Sequence, residues 1–243
     1  MKRDLSPWPV VLSLTALLLA PLSAQTAKDV LNKMIEAQGG RKVIEAMLDS
    51  TSTGTFELVQ FGMQGSITMY QKEPNKMRMD MEVQGFLMTQ AFDGEVAWGT
   101  NPQTGAVEPL SEIMTADFKR EYVGNTALLD PEALGIAYEL QGTETIGDKD
   151  YLVLVQKFSD GHANTLFLDP ETHLPYKTKG KSHDQMGSEI ETETTMTDYR
   201  NIDGIPVAHS LVIYQDGVEF IRISLTSVKF NSGLEDTLFK MTP

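Results

Sequence analysis

Few residues of this sequence could carry out catalysis or hold a metal ion, and their spacing favours neither. The four histidines are His162, His173, His183 and His209. None of them has another histidine at a metal-ligand spacing, and most adjoin turn residues. The chain contains no cysteine, which excludes thiolate ligands and cysteine nucleophiles. We therefore expect no metal, no cofactor and no catalytic residue.

Two fragments of known motifs are incomplete. Gly180-Lys181-Ser182 matches the end of a phosphate-binding loop, but Pro175 stands where the first glycine is required. Asp148 and Asp150 are spaced like the start of a calcium-binding loop, but the later glycine and the closing glutamate are out of register. The sequence predicts a protein that is not an enzyme.

Methionines give the clearest local signal. Six of them fall within 26 residues: Met63, Met69, Met77, Met79, Met81 and Met88. Between residues 77 and 82 methionine alternates with charged residues, so that one face of a strand carries only methionine. Methionine is flexible and suits a surface that repacks around variable apolar partners. The pattern indicates either a soft wall for acyl chains or ordinary core filling.

Aromatic residues extend this pattern along the chain. Phe86, Phe92 and Trp98 lie on neighbouring predicted strands, and Phe118 and Tyr122 lie on a predicted helix. An ordinary core would also explain them. As a ligand cavity, the predicted lining is Met77, Met79, Met81, Phe86, Met88, Phe92, Trp98, Phe118 and Tyr122.

The N-terminus has the layout of a secretory signal peptide. Lys2 and Arg3 precede an apolar stretch over residues 10–22, and small residues end it at Ala24. A membrane anchor is the alternative, but a span needs about 20 apolar residues. We expect residues 1–24 to be removed near Ala24 and the mature chain to be periplasmic.

The overall charge is acidic, with 20 Lys and Arg against 34 Asp and Glu and a net charge of −14. Such a surface repels phosphate backbones, so nucleic acid is not expected as a partner. It also disfavours docking on anionic lipid headgroups. We expect a soluble protein and a monomer.

Helical periodicity is clearest just after the predicted signal peptide. One predicted helix ends at Gly39-Gly40 and has an apolar side formed by Val30, Leu31, Met34 and Ile35. A second short helix is predicted over residues 43–48. One or two more are predicted in the middle of the chain, over residues 110–125 and 126–135.

The rest of the mature chain alternates with a period of two. Strands are predicted over residues 52–61, 63–72, 75–83, 86–92, 95–100, 136–146, 150–158, 163–169, 174–183, 188–200, 205–215 and 218–230. Turn signals such as Asp93-Gly94 and Asp216-Gly217 separate them. No linker-like stretch divides residues 25–243, so a single domain is predicted.

A sheet of this size constrains the fold. About eleven antiparallel strands have to curl or close, because long open sheets expose their edges. The predicted fold is mainly β, a curled sheet or incomplete β-barrel covered by the N-terminal and inserted helices. Such a sheet encloses more volume than a compact core fills, which predicts a cavity and a ligand.

Five short motifs occur in a fixed order along the chain. They are Gly39-Gly40 before Ser52-Thr53-Gly54, Phe92-Asp93-Gly94 before Trp98, Asp169-Pro170 before Leu174-Pro175, Asp198-Tyr199-Arg200 before Asp203-Gly204, and Phe230-Asn231 before Leu238-Phe239-Lys240. In this order they resemble the outer-membrane lipoprotein-sorting proteins, the LolA/LolB-like periplasmic carriers. The resemblance implies an incomplete barrel over residues 25–243 with a hydrophobic cavity for acyl chains of lipoproteins or lipids.

Three functions remain as hypotheses. The first is a carrier of lipids or lipidated proteins, which the predicted export and the apolar strand faces favour. The second is an envelope sensor or protein-interaction module on the same scaffold, because a curled sheet can dock an apolar segment of another envelope protein. The third, a hydrolase, has no nucleophile, base or metal set to support it.

Overall fold

The computed structural model describes residues 25–184 and 186–242. The predicted signal peptide, residues 1–24, lies outside the described residues. Within the described ranges the α helices are α1 (Ala27–Ala37), α2 (Arg41–Ala46), α3 (Glu112–Glu121) and α4 (Thr126–Leu129). None of the described helices has the length and apolar character needed to cross a bilayer.

Helix α1 begins at a capping box. The Thr26 hydroxyl accepts the Asp29 N–H at 3.1 Å, and the Asp29 carboxylate accepts the Thr26 N–H at 3.0 Å. The predicted apolar side is confirmed, because its four members are buried: Val30, Leu31, Met34 and Ile35. Burying each such side chain stabilises the fold by about 1.5–3 kcal/mol, so this side holds α1 to the sheet.

The period-two segments form strands. Before α3 these are β1 (Asp49–Leu58), β2 (Met63–Lys72), β3 (Lys76–Val83), β4 (Phe86–Phe92), β5 (Ala97–Thr100) and β6 (Val107–Pro109). After α4 they are β7 (Ala137–Ile146), β8 (Lys149–Lys157), β9 (Ala163–Leu168), β10 (Pro175–His183), β11 (Glu189–Ile202), β12 (Ile205–Gln215) and β13 (Val218–Phe230). Strand β6 is the one that the sequence does not predict, because it has three residues and no alternation.

The middle of the chain is helical, as predicted, but the helices are shorter than the predicted ranges. Helix α3 begins after Ser111, whose hydroxyl accepts the Met114 N–H at 3.4 Å. Helix α4 has four residues, and the 3₁₀ helix Pro131–Leu134 follows it. Gly135 has φ +66° and ends this 3₁₀ helix.

The thirteen strands of the described residues belong to one antiparallel sheet, against the predicted eleven or so. The strand order is β6-β5-β4-β3-β2-β1-β13-β12-β11-β10-β9-β8-β7, and β6 and β7 are its unpaired edges. The sheet is therefore not closed into a barrel, which confirms the predicted incomplete barrel. Strand β1 lies in the middle of the sheet. Strands β2 to β6 follow one another from β1 to one edge, and strands β7 to β13 follow one another from the other edge back to β1.

Cross-strand partners share a face, so the register defines two faces of the sheet. The inner face carries Met77 on β3, Phe56 on β1 and Ile223 on β13. On the following strands the inner face carries Met196 on β11, Thr178 on β10, Leu166 on β9 and Leu154 on β8. Helices α1 to α4 pack against this inner face.

The C-terminal segment lies on the outer face. The 3₁₀ helix Asp236–Phe239 packs over β3 to β5, where Arg78 donates to the Leu238 carbonyl at 3.0 Å. Lys72 and Lys76 both pair with Asp236, at 2.7 and 2.8 Å. Hydrogen bonds from Lys72 first and then Lys76 lower the pKa of Asp236 to about 2. This segment covers the outside of the half-sheet whose inside carries the methionines.

Candidate functional site: the inner apolar face

Strands β3 and β4 bring six of the nine predicted lining residues together on the inner face. Met77 lies opposite Phe92, Met81 opposite Met88, and Val83 opposite Phe86. Met79 is on the same face, opposite Gln90, the one polar side chain in these four rows. The alternation predicted from the sequence therefore does place methionine on one side of β3 and charged residues on the other.

The apolar face continues across the middle of the sheet. Ile67 on β2 lies opposite Met81, Phe56 on β1 lies opposite Ile223 on β13, and Ile223 lies opposite Leu211 on β12. Met79, Met81 and Met88 pack against the buried cluster of Phe56, Leu58, Ile67, Val83, Ile221, Ile223, Leu225 and Val228. The face thus extends over six strands, from β4 to β12.

The sequence reasoning missed the β13 part of this face, although a signal was present. In the run from Ile221 to Thr226, apolar residues alternate with polar ones, and Ile221, Ile223 and Leu225 are all buried. That is the same pattern as in β3, with branched side chains in place of methionine. Branched apolar side chains are ordinary in strands, so this pattern alone does not indicate a ligand face.

Exposure differs among the inner-face residues of β3 and β4. Phe92 is fully buried and Met77 nearly so, whereas Met79, Met81 and Met88 are half-buried. Phe86, at the β3–β4 turn, is 76% exposed. The predicted lining therefore runs from Met77 and Phe92, which are covered, to the exposed ring of Phe86, whose cross-strand partner Val83 is buried.

Helix α3 provides the cover at Met77 and Phe92. The ring of Phe118 lies 6.2 Å from that of Phe92 and 5.7 Å from that of Tyr122, measured between centroids. Burial raises the pKa of the Tyr122 hydroxyl well above its ordinary value. Two more of the predicted residues, on a helix, are thus brought to the methionine face.

Trp98 is not part of this face. Ala97 lies opposite Phe92, so Trp98 lies one position further and points to the outer face, opposite Ala91. There it is buried, and its Nε1 donates to the Phe239 carbonyl at 2.7 Å. The Arg78 guanidinium lies 5.8 Å from its ring centre. Trp98 anchors the C-terminal segment instead of lining the inner face.

The far side of α3 reaches the other half of the sheet. The Asp117 carboxylate accepts the backbone N–H of His183, at the end of β10, at 2.7 Å, and lies 3.0 Å from its Nδ1. Arg120 donates to Asp117 at 2.7 Å and to Asp160, in the β8–β9 turn, at 2.9 Å. Neither Asp117 nor Arg120 was singled out from the sequence, because no local pattern signals contacts this far apart in the chain.

Helices α1, α2 and α4 cover the inner face of β7 to β9. Leu154 and Leu168 are fully buried under α1, and Leu152 and Leu166 pack beside them. Arg41 on α2 donates to the Leu129 carbonyl on α4 at 3.0 Å, and Tyr138 on β7 donates to the Ala127 carbonyl at 3.2 Å. This half is an ordinary helix-on-sheet core.

Two clefts adjoin the C-terminal part of α3. One, of about 240 Å³, lies between the β2–β3 turn and Tyr122–Asn125. In it Glu73 accepts the Asn125 N–H at 3.0 Å, and burial raises the pKa of the Glu73 carboxyl. The other, of about 610 Å³, is lined by charged residues around Arg120 and Lys179. Neither cleft is lined by the methionines of β3 and β4.

His162 and His183 both line the cleft around Arg120 and Lys179, whereas His173 and His209 do not. His162 and His173 are in turns, His183 ends β10, and His209 is buried on β12, where its Nδ1 lies 2.9 Å from the Val207 carbonyl. Among the described residues, no group of three or more His, Cys, Asp or Glu side chains could hold a metal ion.

No protein-family model matches the sequence, and no curated protein matches it. Solved structures do match. A DUF1329 family protein from Desulfovibrio piger has a TM-score of 0.58 and 17% identity, over 88% of this chain and 97% of its own. A putative outer membrane lipoprotein-sorting protein domain from Vibrio parahaemolyticus has a TM-score of 0.55 and 16% identity, over 88% of this chain and 97% of its own.

A LolA superfamily protein from Nitrosomonas europaea is similar to the same extent, with a TM-score of 0.56 and 16% identity over 89% of this chain and 98% of its own. At these identities the matches define the fold. The chain therefore has the LolA-like fold, which confirms the structural side of the resemblance predicted from its motifs.

Proposed function

We propose that this protein is a non-enzymatic carrier or binder of acyl chains, from lipids or lipidated proteins, outside the cytoplasmic membrane. The observation that carries the proposal is the apolar inner face from β4 to β12, which a helix covers at one end and which has the exposed ring of Phe86 at the other. Among the described residues both edge strands of the sheet, β6 and β7, are unpaired, so no strand of that part of the chain closes the sheet. An acyl chain could replace side-chain contacts on it without leaving a backbone group unpaired.

The methionines distinguish this face from an ordinary core. Met79, Met81 and Met88 are half-buried, and each can change rotamer to admit a flexible chain. The opposite half, under α1, has Leu154 and Leu168 in a closed packing without methionine on the strands. We therefore assign the ligand to the β3–β4 side and leave the α1 side as structural core.

Export supports the same function. The sequence of residues 1–24 predicts a signal peptide, and one of the solved structures with this fold is named for outer-membrane lipoprotein sorting. A periplasmic carrier of lipid-like cargo agrees with both. The acidic net charge of −14 favours a soluble protein that stays off anionic membranes.

An envelope sensor or protein-interaction module is the second candidate. The observation that favours it is the exposed apolar side chains on three neighbouring turns: Phe61 is 65%, Phe86 is 76% and Val218 is 53% exposed. A stoichiometric protein complex that survives delipidation, and is lost in a Phe61→Ser, Phe86→Ser double variant, would favour this candidate over a carrier.

Native mass spectrometry of protein isolated from its own envelope tests the carrier proposal. We expect bound species with masses of acyl chains, and we expect the delipidated protein to bind a pyrene-labelled fatty acid. A protein that is empty after gentle extraction and does not bind the probe would rule out the carrier function.

A further inference from the structure

Four methionine side chains lie side by side on the inner face of β2 to β4. Met69 lies opposite Met79, and Met81 lies opposite Met88. Met79 and Met81 are two positions apart on β3, so they share a face and lie about 7 Å apart along the strand. The two cross-strand pairs are therefore neighbours, with β3 between β2 and β4. These four residues are called the thioether cluster below.

The geometry lets the sulfur atoms of this cluster meet at one point. Side chains directly opposite each other on antiparallel strands have Cβ atoms about 4.5–5.5 Å apart. Methionine is unbranched and has three rotatable side-chain bonds, so its sulfur can take up several positions. A point above β3, between Met79 and Met81, is within reach of both. Either of the other two methionines, Met69 or Met88, supplies a third sulfur.

The chemistry of thioethers decides which ion such a group would hold. Soft sulfur ligands select Cu(I), whereas carboxylates and carbonyls suit Mg²⁺ and Ca²⁺ and imidazole suits Zn²⁺. No group of three or more His, Cys, Asp or Glu side chains in residues 25–184 and 186–242 offers the harder ligands. The chain has no cysteine, so methionine is its only source of sulfur. A metal bound at the cluster would therefore be soft and of low charge.

The surroundings of the cluster suit Cu(I), which has to be kept from water. All four methionines are half-buried, and they pack against a buried apolar group that includes Phe56, Ile67 and Ile223. A small ion can thus reach the sulfur atoms from the exposed side, while the apolar group excludes water below them. Met77, the preceding methionine of β3, is 5% exposed and packs with Phe118, so it does not belong to the cluster. The net charge of −14 attracts cations to the protein.

We infer that the thioether cluster is a binding site for Cu(I), with three methionine sulfur atoms as ligands. The site goes beyond the proposed carrier function and does not depend on it, because it needs no acyl chain. Thioethers carry no proton that a metal has to displace, in contrast to thiols and imidazolium groups. Methionine also forms no disulfides, so the ligands persist in the oxidising compartment to which the predicted signal peptide directs the chain.

Anaerobic competition with the Cu(I) chelator bathocuproine disulfonate measures the affinity of the protein for Cu(I). We expect one Cu(I) per chain. Met79→Leu with Met81→Leu removes two ligands and conserves side-chain volume. The affinity should fall at least about a hundredfold, because even residues that only orient a metal ligand are each worth about 10–100-fold. Absence of binding, or equal affinity of this variant and the wild type, would overturn the inference.

Met186→Leu is the matched control. It removes a lone methionine that is 90% exposed in the turn between β10 and β11, and it should leave the Cu(I) affinity unchanged. Far-UV circular dichroism of both variants shows whether each is folded. An equal loss of affinity in Met186→Leu would mean that Cu(I) binds methionines without regard to their place in the fold, and would contradict a site on β2 to β4.

X-ray absorption of the wild-type complex tests the ligands without any substitution. We expect a first coordination shell made of sulfur alone, and an affinity that stays constant from pH 8 to about pH 5.5, because thioethers do not titrate there. Histidine has an ordinary pKa of about 6.5 and would lose the metal over this range. A shell with nitrogen or oxygen, or an affinity that falls with the pH, would overturn the assignment.

The measurements separate the metal site from the carrier function. Cu(I) binding by a protein that takes up no pyrene-labelled fatty acid would uphold the thioether cluster and overturn the carrier. Uptake of the fatty acid by a protein that cannot compete with the chelator for Cu(I) would uphold the carrier and overturn the metal site.

Discussion

The rings of Phe92 on β4 and Phe118 on α3 lie with their centroids 6.2 Å apart and their planes tilted by 46°. Phe92 belongs to the sheet and is fully buried, whereas Phe118 belongs to the cover and is half-buried. Tilted pairs at this distance are favourable beyond the area that they bury. The ring of Phe118 therefore occupies the surface of Phe92 that the proposed ligand would contact.

Removal of the Phe118 ring should loosen the cover without destroying the fold. Replacing a fully buried phenylalanine by alanine costs about 3–5 kcal/mol. The Phe118 ring is half-buried, so we expect Phe118→Ala to lower the free energy of unfolding by about 1–3 kcal/mol. The measurement is urea denaturation followed by far-UV circular dichroism. Uptake of the pyrene-labelled fatty acid should become faster, because the side chain that occupies its place is gone.

Lys119→Ala is the control for Phe118→Ala, since it changes an exposed neighbour on the same helix. It should alter the free energy of unfolding by less than about 0.5 kcal/mol. Slower uptake by Phe118→Ala than by the wild type would show that the ring serves the ligand and does not block it.

Two adjacent residues of β4 test which face of the sheet binds the ligand. Met88 lies on the inner face opposite Met81, and Leu87 lies on the outer face opposite Glu82. We expect Met88→Gln to weaken probe binding by about tenfold, because a polar amide on the apolar face has to be desolvated. The same change at Leu87 should leave the affinity within about twofold. Fluorescence titration measures both.

An equal loss of affinity in the two glutamine variants would show that the face assignment is wrong. Their thermal unfolding should be compared in parallel, so that a general loss of stability is not taken for a loss of binding. Leu87 is 53% exposed, and its replacement is therefore expected to be mild.

Local patterns predicted most of the strands and the first helix. Alternation in residues 77–82 and turn residues such as Asp216-Gly217 are readable because each depends on a few neighbouring positions. Strand β6 was missed because three residues carry no period. The contact of Asp117 with His183 joins positions 66 residues apart, and only the curl of the whole sheet brings them together.

Trp98 shows that closeness in sequence to Phe92 does not determine which face of the sheet a side chain occupies. The turn after Phe92 sets Ala97, and not Trp98, opposite it, so a shift of one position sends the indole to the outer face. The sequence predicted the strand on which Trp98 lies. The register of the turn, which decides its function, is a property of the folded backbone.

The new position of Trp98 gives a prediction of its own. Trp98→Phe removes the donor to the Phe239 carbonyl and leaves that buried acceptor unpaired, at a cost of about 1–3 kcal/mol in the free energy of unfolding. Affinity for the fatty-acid probe should stay within about twofold, because the indole lies on the outer face. A large loss of affinity with unchanged stability would instead place Trp98 among the ligand contacts.

Glu73 gives a prediction for the dependence of stability on pH. Burial raises the pKa of its carboxyl above the ordinary 4.5, although the Asn125 N–H partly opposes this. The folded state then holds the proton more tightly than the unfolded state does. The stability from Glu73 is therefore fully present below pH 4.5 and is lost as the pH rises through its pKa in the folded state.

Glu73→Gln keeps an acceptor for the Asn125 N–H and cannot ionise. We expect its Tm to exceed that of the wild type by about 1–3 °C at pH 7, a small gain because the side chain is only half-buried. The difference should disappear at pH 4 and below, where the wild-type carboxyl is protonated. Glu144→Gln, at an exposed position of β7, controls for the lost charge. A gain that persists at pH 4, or that Glu144→Gln reproduces, would mean that burial of the Glu73 charge is not the cause.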